Sequence, residues 1–416
     1  MGPGPGPVEA GGEALITLQG VASALSELVA VPSVNPHLCP APARSGADEP
    51  GGTETDSIPS GPALTGSDAL TGEAAIADAL VGWCAARGIE AWLEEAAPER
   101  PNVVARVGAG APVLILCAHT DTVDVAGMTI EPFTPRVEDG RLYGRGAFDM
   151  KAGVAAILCA LEAIAANPVE GTVMAAFVAD EEWASAGAYD FVHRHGGDAC
   201  IVTEPSDGKL VLAHKGFVWL EIMVRGTAAH GSRWDLGDSA IARAARIITA
   251  LDEFDRGVLR QRTYPLLGPA SLHASTISGG SGISTYAAEC VIGVERRTLP
   301  EETPDQVVAE VQRVIAAAGE SADLRITLDR PPLVCDRDAL IARTVRAASV
   351  DVTGAEPEEC GVAYWMDAAV FAHAGIPTVN IGAAGGGAHA AEEWVELASV
   401  VENARILEAA ARRFCR

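Results

Sequence analysis

The chain has 416 residues, with Lys+Arg 30 against Asp+Glu 56, a net charge of −26, and 49% of its residues hydrophobic. That composition supplies enough core for two domains and excludes global disorder. So acidic a chain excludes nucleic acid and anionic membrane as partners, because both require a positive surface.

Residues 1–14 are rich in Gly and Pro and are expected to form a disordered tail. The opening "MGPGPGPVEAGGEAL" lacks the basic and apolar segments of a signal peptide. A helix is predicted through Leu18, Val21, Leu25 and Leu28, ending at "VPSVNP". Residues 36–70, dominated by Pro, Gly, Ser and Ala, read as a loop insertion. A second helix over about 73–87 carries Ile76, Leu80 and Trp83 and stops at Gly88.

Buried strands and helices then alternate. "VLILCA" (113–118), "TVMAAFVA" and "ACIVTEP" are continuous apolar runs, as expected of strands covered on both faces. Between the first two, Met150, Val154, Ile157, Leu158, Leu161 and Ile164 recur at helical spacing. This alternation predicts an α/β fold with a mostly parallel sheet flanked by helices.

From residue 213 the pattern changes. "KGFVWLEIMVRG" alternates apolar and polar, and a helix follows through Leu236, Ile241, Ala244, Ile248 and Leu251. Strands "LHASTIS" and "AECVIGVERR", a helix opened by the capping box Thr303–Gln306 with Pro304 at its first position, and strand "LRITL" complete a βαββαβ order. The prediction is a discontinuous catalytic domain, 15–212 and 331–416, with an α+β domain at 213–330 inserted into it. No run of about 18 apolar residues suggests a membrane span. The nine cysteines form no C-x-x-C pair and fit a reducing cytoplasm.

Ligands of open α/β sheets bind beyond the carboxyl ends of the strands. His119 and Asp121 follow the first buried strand, Asp180-Glu181-Glu182 the second, and Glu204 the third. His389 lies in the glycine-rich loop after the strand at 376–381, and Asp149 stands at a helix N-terminus. Each has a bland reading alone, such as an N-cap for Asp149. Together, so many carboxylates in one crevice would repel unless cations lay among them. Carboxylates and imidazoles without thiolates suit zinc or a related divalent ion.

"HTDTV", "GRGAFDMKAG", "ADEEWASAG", "TEPS" and "GAHAAEEWV" resemble the successive motifs of one family of two-metal, di-zinc amidohydrolases and metallopeptidases. It comprises acetylornithine deacetylases, succinyl-diaminopimelate desuccinylases, aminoacylases and glutamate carboxypeptidases. The resemblance runs in order over roughly residues 15–414. It implies that His119 and Glu204 hold one ion, Glu182 and His389 the other, and that Asp149 bridges them. The ions would be zinc, with cobalt or manganese as substitutes. Asp121 would orient His119, and Glu181 would be the general base that activates water. His230, in "GTAAHGS", would stabilise the reacting carbonyl across a homodimer formed by the inserted domain, which corresponds to the family's dimerisation or lid domain. Arg297 would contact a substrate carboxylate. Ser284 and Ala287 stand where many relatives carry Asn and Pro, at positions that border the family's substrate pocket. The implied activity is hydrolysis of the amide of an N-acyl amino acid or related acylated amine. A carboxypeptidase or dipeptidase acting on a small peptide is the alternative, and a non-catalytic binding protein that retains the fold a third.

Overall fold

The computed structural model describes residues 15–38 and 71–416; the expected tail at 1–14 and most of the loop at 36–70 lie outside the described residues. The chain divides into two compact units. The first takes the described residues up to Gly208, together with Thr344–Pro357 and Ile381–Arg416. The second takes Lys209–Arg343 and Glu358–Asn380.

In the first unit, helices α1 (Leu18–Val29) and α2 (Ala74–Ala85) match their predicted spans. Thr17 caps α1 by accepting the Gly20 N–H at 3.1 Å, and Gly88, at φ 67, stops the turn after α2. Next come strands β1 (Glu90–Ala97), β2 (Arg100–Gly108) and β3 (Val113–His119). Two short strands, β4 (Arg136–Glu138) and β5 (Arg141–Tyr143), lead to helix α3 (Lys151–Ala166), then β6 (Thr172–Val178), α4 (Ala186–Arg194) and β7 (Ala199–Val202). The sheet runs β1-β2-β6-β3-β7. Its heart is parallel, β6-β3-β7, as the apolar runs predict. Its edge is not: β1, β2 and β6 pair antiparallel.

Helix α3 is buried on nearly every side, because its run of Ala, Val, Ile and Leu packs against both the sheet and the C-terminal helix Leu397–Phe414. Before α2, Val34 makes parallel bridges to both Thr122 and Thr71, and the Gly72 N–H reaches the Val34 carbonyl at 2.9 Å.

The second unit contains the expected βαββαβ layer. Its strands lie in the order Ser271–Gly279, Glu289–Thr298, Gly216–Arg225, Asp323–Arg330, all antiparallel. Helices Ala240–Gly257 and Pro304–Ala317 cover one face, burying Ile222, Val224, Ile292 and Val294 against Ile247, Leu251, Val311 and Ile315. The capping box forms as predicted: Thr303 N–H donates to Gln306 at 3.0 Å, and Gln306 N–H to Thr303 Oγ1 at 3.3 Å. Leu236, expected inside the first helix, precedes it, because Ser239 caps the helix by accepting the Ala242 N–H at 3.3 Å. Among the described residues no helix is long and apolar enough to cross a membrane.

Candidate metal centre

Register brings the acids together. In the parallel ladder His119 lies opposite Val178 and Cys117 opposite Val202. The chain therefore leaves β3, β6 and β7 at one level, with His119, the 180–182 acids and Glu204 at one edge. Ile381 N–H donates to Val202 O at 3.0 Å, which lays the final segment alongside β7. Strand Gly385–Gly386 then pairs with Trp394–Glu396, and that strand with β5. His389 sits in the tip between those two short strands, at φ 59. Gly387 beside it, at φ +80, tolerates no side chain, because a Cβ would collide with the Glu392 carbonyl.

Two imidazoles face one carboxylate. His119 Nε2 is 3.3 Å from Asp149 Oδ1 and 3.4 Å from Glu204 Oε1. His389 Nε2 is 3.2 Å from Asp149 Oδ2 and 3.2 Å from Glu182 Oε1. Glu181 joins His119 and Glu204 in a group whose donor atoms all lie within 4.8 Å of one another. His119 Nδ1 donates to the Asp121 backbone carbonyl at 2.9 Å, with Asp121 Oδ1 at 3.5 Å. That contact fixes the tautomer that leaves Nε2 as the inward donor atom.

The field of the cluster favours positive charge. Asp149 and Glu182, against the opposing effect of burial, raise the His389 imidazole to about 10. Burial works against a charged His119, yet Glu204, Asp121 and Asp149 together lift its pKa well above the ordinary histidine value. Burial also disfavours an ionised Asp149, but the two imidazoles hold it below the usual carboxylate range. Glu182 Oε1 is buried, and although the His389 ring lies 3.2 Å away it accepts no well-aligned hydrogen bond, which leaves it open to a cation. Five N/O donors without a thiolate fit divalent ions of the zinc type.

Asp180 belongs to a different network. It bends the chain at φ 70 and sits 3.0 Å from Arg100, which also holds Glu73 through a bidentate pair. Asn35 Nδ2 donates to Asp121 Oδ2 at 2.7 Å and to Asp180 Oδ1 at 3.1 Å. Asp121 also accepts the backbone N–H groups of Glu181 and Glu182, at 3.1 and 3.2 Å. The run of three acids is thus divided: one is neutralised by arginine, and two are turned toward the imidazoles. Sequence reasoning missed Asn35, Glu73 and Arg100. Only "VNP" before the insertion hinted at a fixed Asn. Two cations close to these residues in the chain have partners of their own: Lys151 Nζ donates to the carbonyls of Leu28 and Val31, and Arg145 pairs with Glu393.

The remaining predicted residues lie in the second unit. His230 bridges Thr285, the Gly231 N–H donates to Ser284 O at 2.7 Å, and His230 Nδ1 is 2.8 Å from Ser232 Oγ. Ser284 lies in the exposed connection between two strands. Arg296 and Arg297 take opposite faces of their strand, as alternation requires. Arg296 is buried on Glu302, whereas Arg297 donates to Glu295 at 2.7 Å and lies over the Phe217 ring. Among the other histidines, His214 is fully buried and His195 pairs with Glu94 at 2.9 Å.

An α/β scaffold that gathers imidazoles and carboxylates at the strand ends defines a metal-dependent hydrolase. A model of peptidase family M20/M25/M40 matches residues 115–413, and the chain belongs to that family. It is similar to an acetylornithine deacetylase of Myxococcus xanthus, with 30% identity over 338 residues that cover 78% of this chain and 87% of that protein. It is similar also to a succinyl-diaminopimelate desuccinylase of Parvibaculum lavamentivorans, with 28% identity, 77% of this chain and 84% of that protein. The crystal structure of the aminopeptidase PepT from Bacillus cereus superposes with a TM-score of 0.74 at 20% identity, covering 97% of this chain and 100% of that one. The chain is accordingly an enzyme, a metal-dependent amidohydrolase or peptidase.

Proposed function

We propose that the enzyme is a zinc-dependent deacylase that hydrolyses the amide of an N-acyl amino acid or a similar small acylated amine. The observation that carries this reading is the position of Asp149, one oxygen toward each imidazole, with a separate glutamate beside each ring. His119 and Glu204 would hold one ion and Glu182 and His389 the second, with Asp149 placed to serve both. When bound, such a pair polarises the amide carbonyl and acidifies water.

The chain's own groups supply the rest. Glu181 takes a proton from the attacking water and delivers it to the leaving nitrogen, so one carboxylate serves as base and then acid. Asp121 holds His119 in orientation. His230 donates to the carbonyl oxygen from the partner of a homodimer built on the 213–330 domain, and Ser284 and Arg297 complete the substrate contacts. The dimer reading is supported by the outer strand Ser271–Gly279, which exposes residues 273–279, Ile277 among them, along a sheet edge that invites pairing. The buried free thiols support a reducing cytoplasm.

The deacylase reading is supported by the two curated relatives, whose names specify a deacetylase and a desuccinylase. A panel of acetyl-, succinyl- and aminoacyl-amino acids, assayed on chelated and zinc-reloaded enzyme, tests it. Cleavage of the acyl compounds is expected; cleavage of dipeptides alone would replace it with the peptidase reading.

A further inference from the structure

We propose that Glu393 is a positioning residue that sets the separation of Asp149 and His389, and through them the affinity of the second metal site. The inference rests on the reading that these two residues hold metal.

The local sequence explains why this glutamate, and not Glu392, takes that place. Strand Trp394–Glu396 pairs with β5 in the register Trp394↔Tyr143, and the Gly144 N–H donates to the Glu393 carbonyl at 3.1 Å. Glu393 therefore enters beside the loop 144–149, at the base of the hairpin whose tip carries His389. Its neighbour Glu392 is exposed, whereas Glu393 is fully buried.

The buried carboxylate accepts four hydrogen bonds. Oε1 takes the backbone N–H groups of Phe148 and Asp149, both at 2.9 Å. Oε2 takes the Gly146 N–H at 2.9 Å and Arg145 Nη1 at 2.8 Å. Arg145 in turn donates through Nε to Asp124 O at 3.0 Å and through Nη2 to Ala390 O, next to His389, at 3.2 Å. One buried ion pair thus spans the segment that carries Asp149 and the segment that carries His389. Outer groups that orient ligands in this way are worth about 10–100-fold in metal affinity.

Glu393→Gln tests this directly. The amide keeps the volume, but its NH2 group faces backbone donors where an oxygen accepted, so two hydrogen bonds are lost and donors oppose one another. The readout is the zinc dissociation constant of each site, from competition with a chromophoric chelator, beside the melting temperature and circular dichroism. We expect one of the two constants to rise at least tenfold in a folded protein, with Glu392→Gln unchanged from the wild type. Affinities equal to the wild type for both ions, with only a lower melting temperature, would reduce Glu393 to a packing role and overturn the inference. Should Glu393→Gln fail to fold, Arg145→Gln, which keeps the three backbone bonds, takes its place: a weakened second site supports the inference and wild-type affinity overturns it. Wild-type protein that binds no zinc would instead refute the metal reading itself, and this inference with it.

Discussion

The carboxylate of Asp121 accepts the backbone N–H of Glu181 at 3.1 Å. One side chain therefore faces an imidazole and at the same time fixes the residue that follows the neighbouring strand end. Because the backbone of Glu181 is held this way, its side chain can be exchanged without displacing the metal ligands. Glu181→Gln is expected to lower kcat by about a hundredfold to ten-thousandfold, the range for loss of a proton-transfer group. Elemental analysis should still find the wild-type metal content. Full activity in this variant would remove Glu181 from its proposed role.

His389→Ala deletes a ring that, with Glu182, faces Asp149 Oδ2. The expected outcome is one zinc per chain where the wild type binds two, measured after dialysis against metal-free buffer, with little activity left. Chelator treatment of the wild type should abolish turnover, and added zinc should restore it.

Among the described residues Arg100 is the guanidinium found on both Glu73 and Asp180, and all three side chains are buried. Arg100→Met strands two carboxylates away from water. Breaking a buried pair in this way costs about 3–5 kcal/mol, readable as a shifted urea midpoint. Adding Glu73→Gln should recover part of the loss, since burial already pushes the Glu73 carboxyl up to about 7.

His214 lies fully buried in the second unit, its Nδ1 donating to the Lys215 carbonyl at 2.9 Å. Burial pushes its pKa down to about 4 from 6.5. The unfolded chain therefore binds a proton between pH 6.5 and 4 that the folded chain refuses. Its contribution to stability is intact above pH 6.5 and is lost as the pH falls toward 4. At about 1.4 kcal/mol per pH unit, the loss over that window is roughly 3 kcal/mol. His214→Phe should flatten the slope of stability against pH there, in melts taken at several pH values.

Much of the fold was legible because its strands are continuous apolar runs and its helices keep a clear period. "VLILCA" and "TVMAAFVA" could hardly be anything but buried strands, and their parallel register alone aligns His119 with the acids after Val178. The antiparallel edge β1-β2 was not seen: the half-exposed "EAWLEEAA" carries three glutamates and no strong alternation of burial. The partners of the site were hidden for another reason. Arg100 reaches Asp180 from eighty positions away and Glu393 reaches Asp149 from far downstream, and no local pattern encodes such pairing. The doublet Glu392-Glu393 looks uniform in sequence; only strand register decides which acid is buried. Arg297, proposed as a substrate contact, also donates to its neighbour two positions back, Glu295, a pairing that the sequence pattern did not announce.

The bridges from Val34 to both Thr71 and Thr122 carry a consequence for how this enzyme can be altered. The chain departs and returns at nearly the same point, with Val34 against Thr71, and each doubling of a closed segment's length costs only about 0.6 kcal/mol. Its two gateposts are another matter, because Asn35 and Glu73 just inside and just after them grip Asp121, Asp180 and Arg100. A splice made between Val34 and Thr71 must therefore leave those two anchors in place.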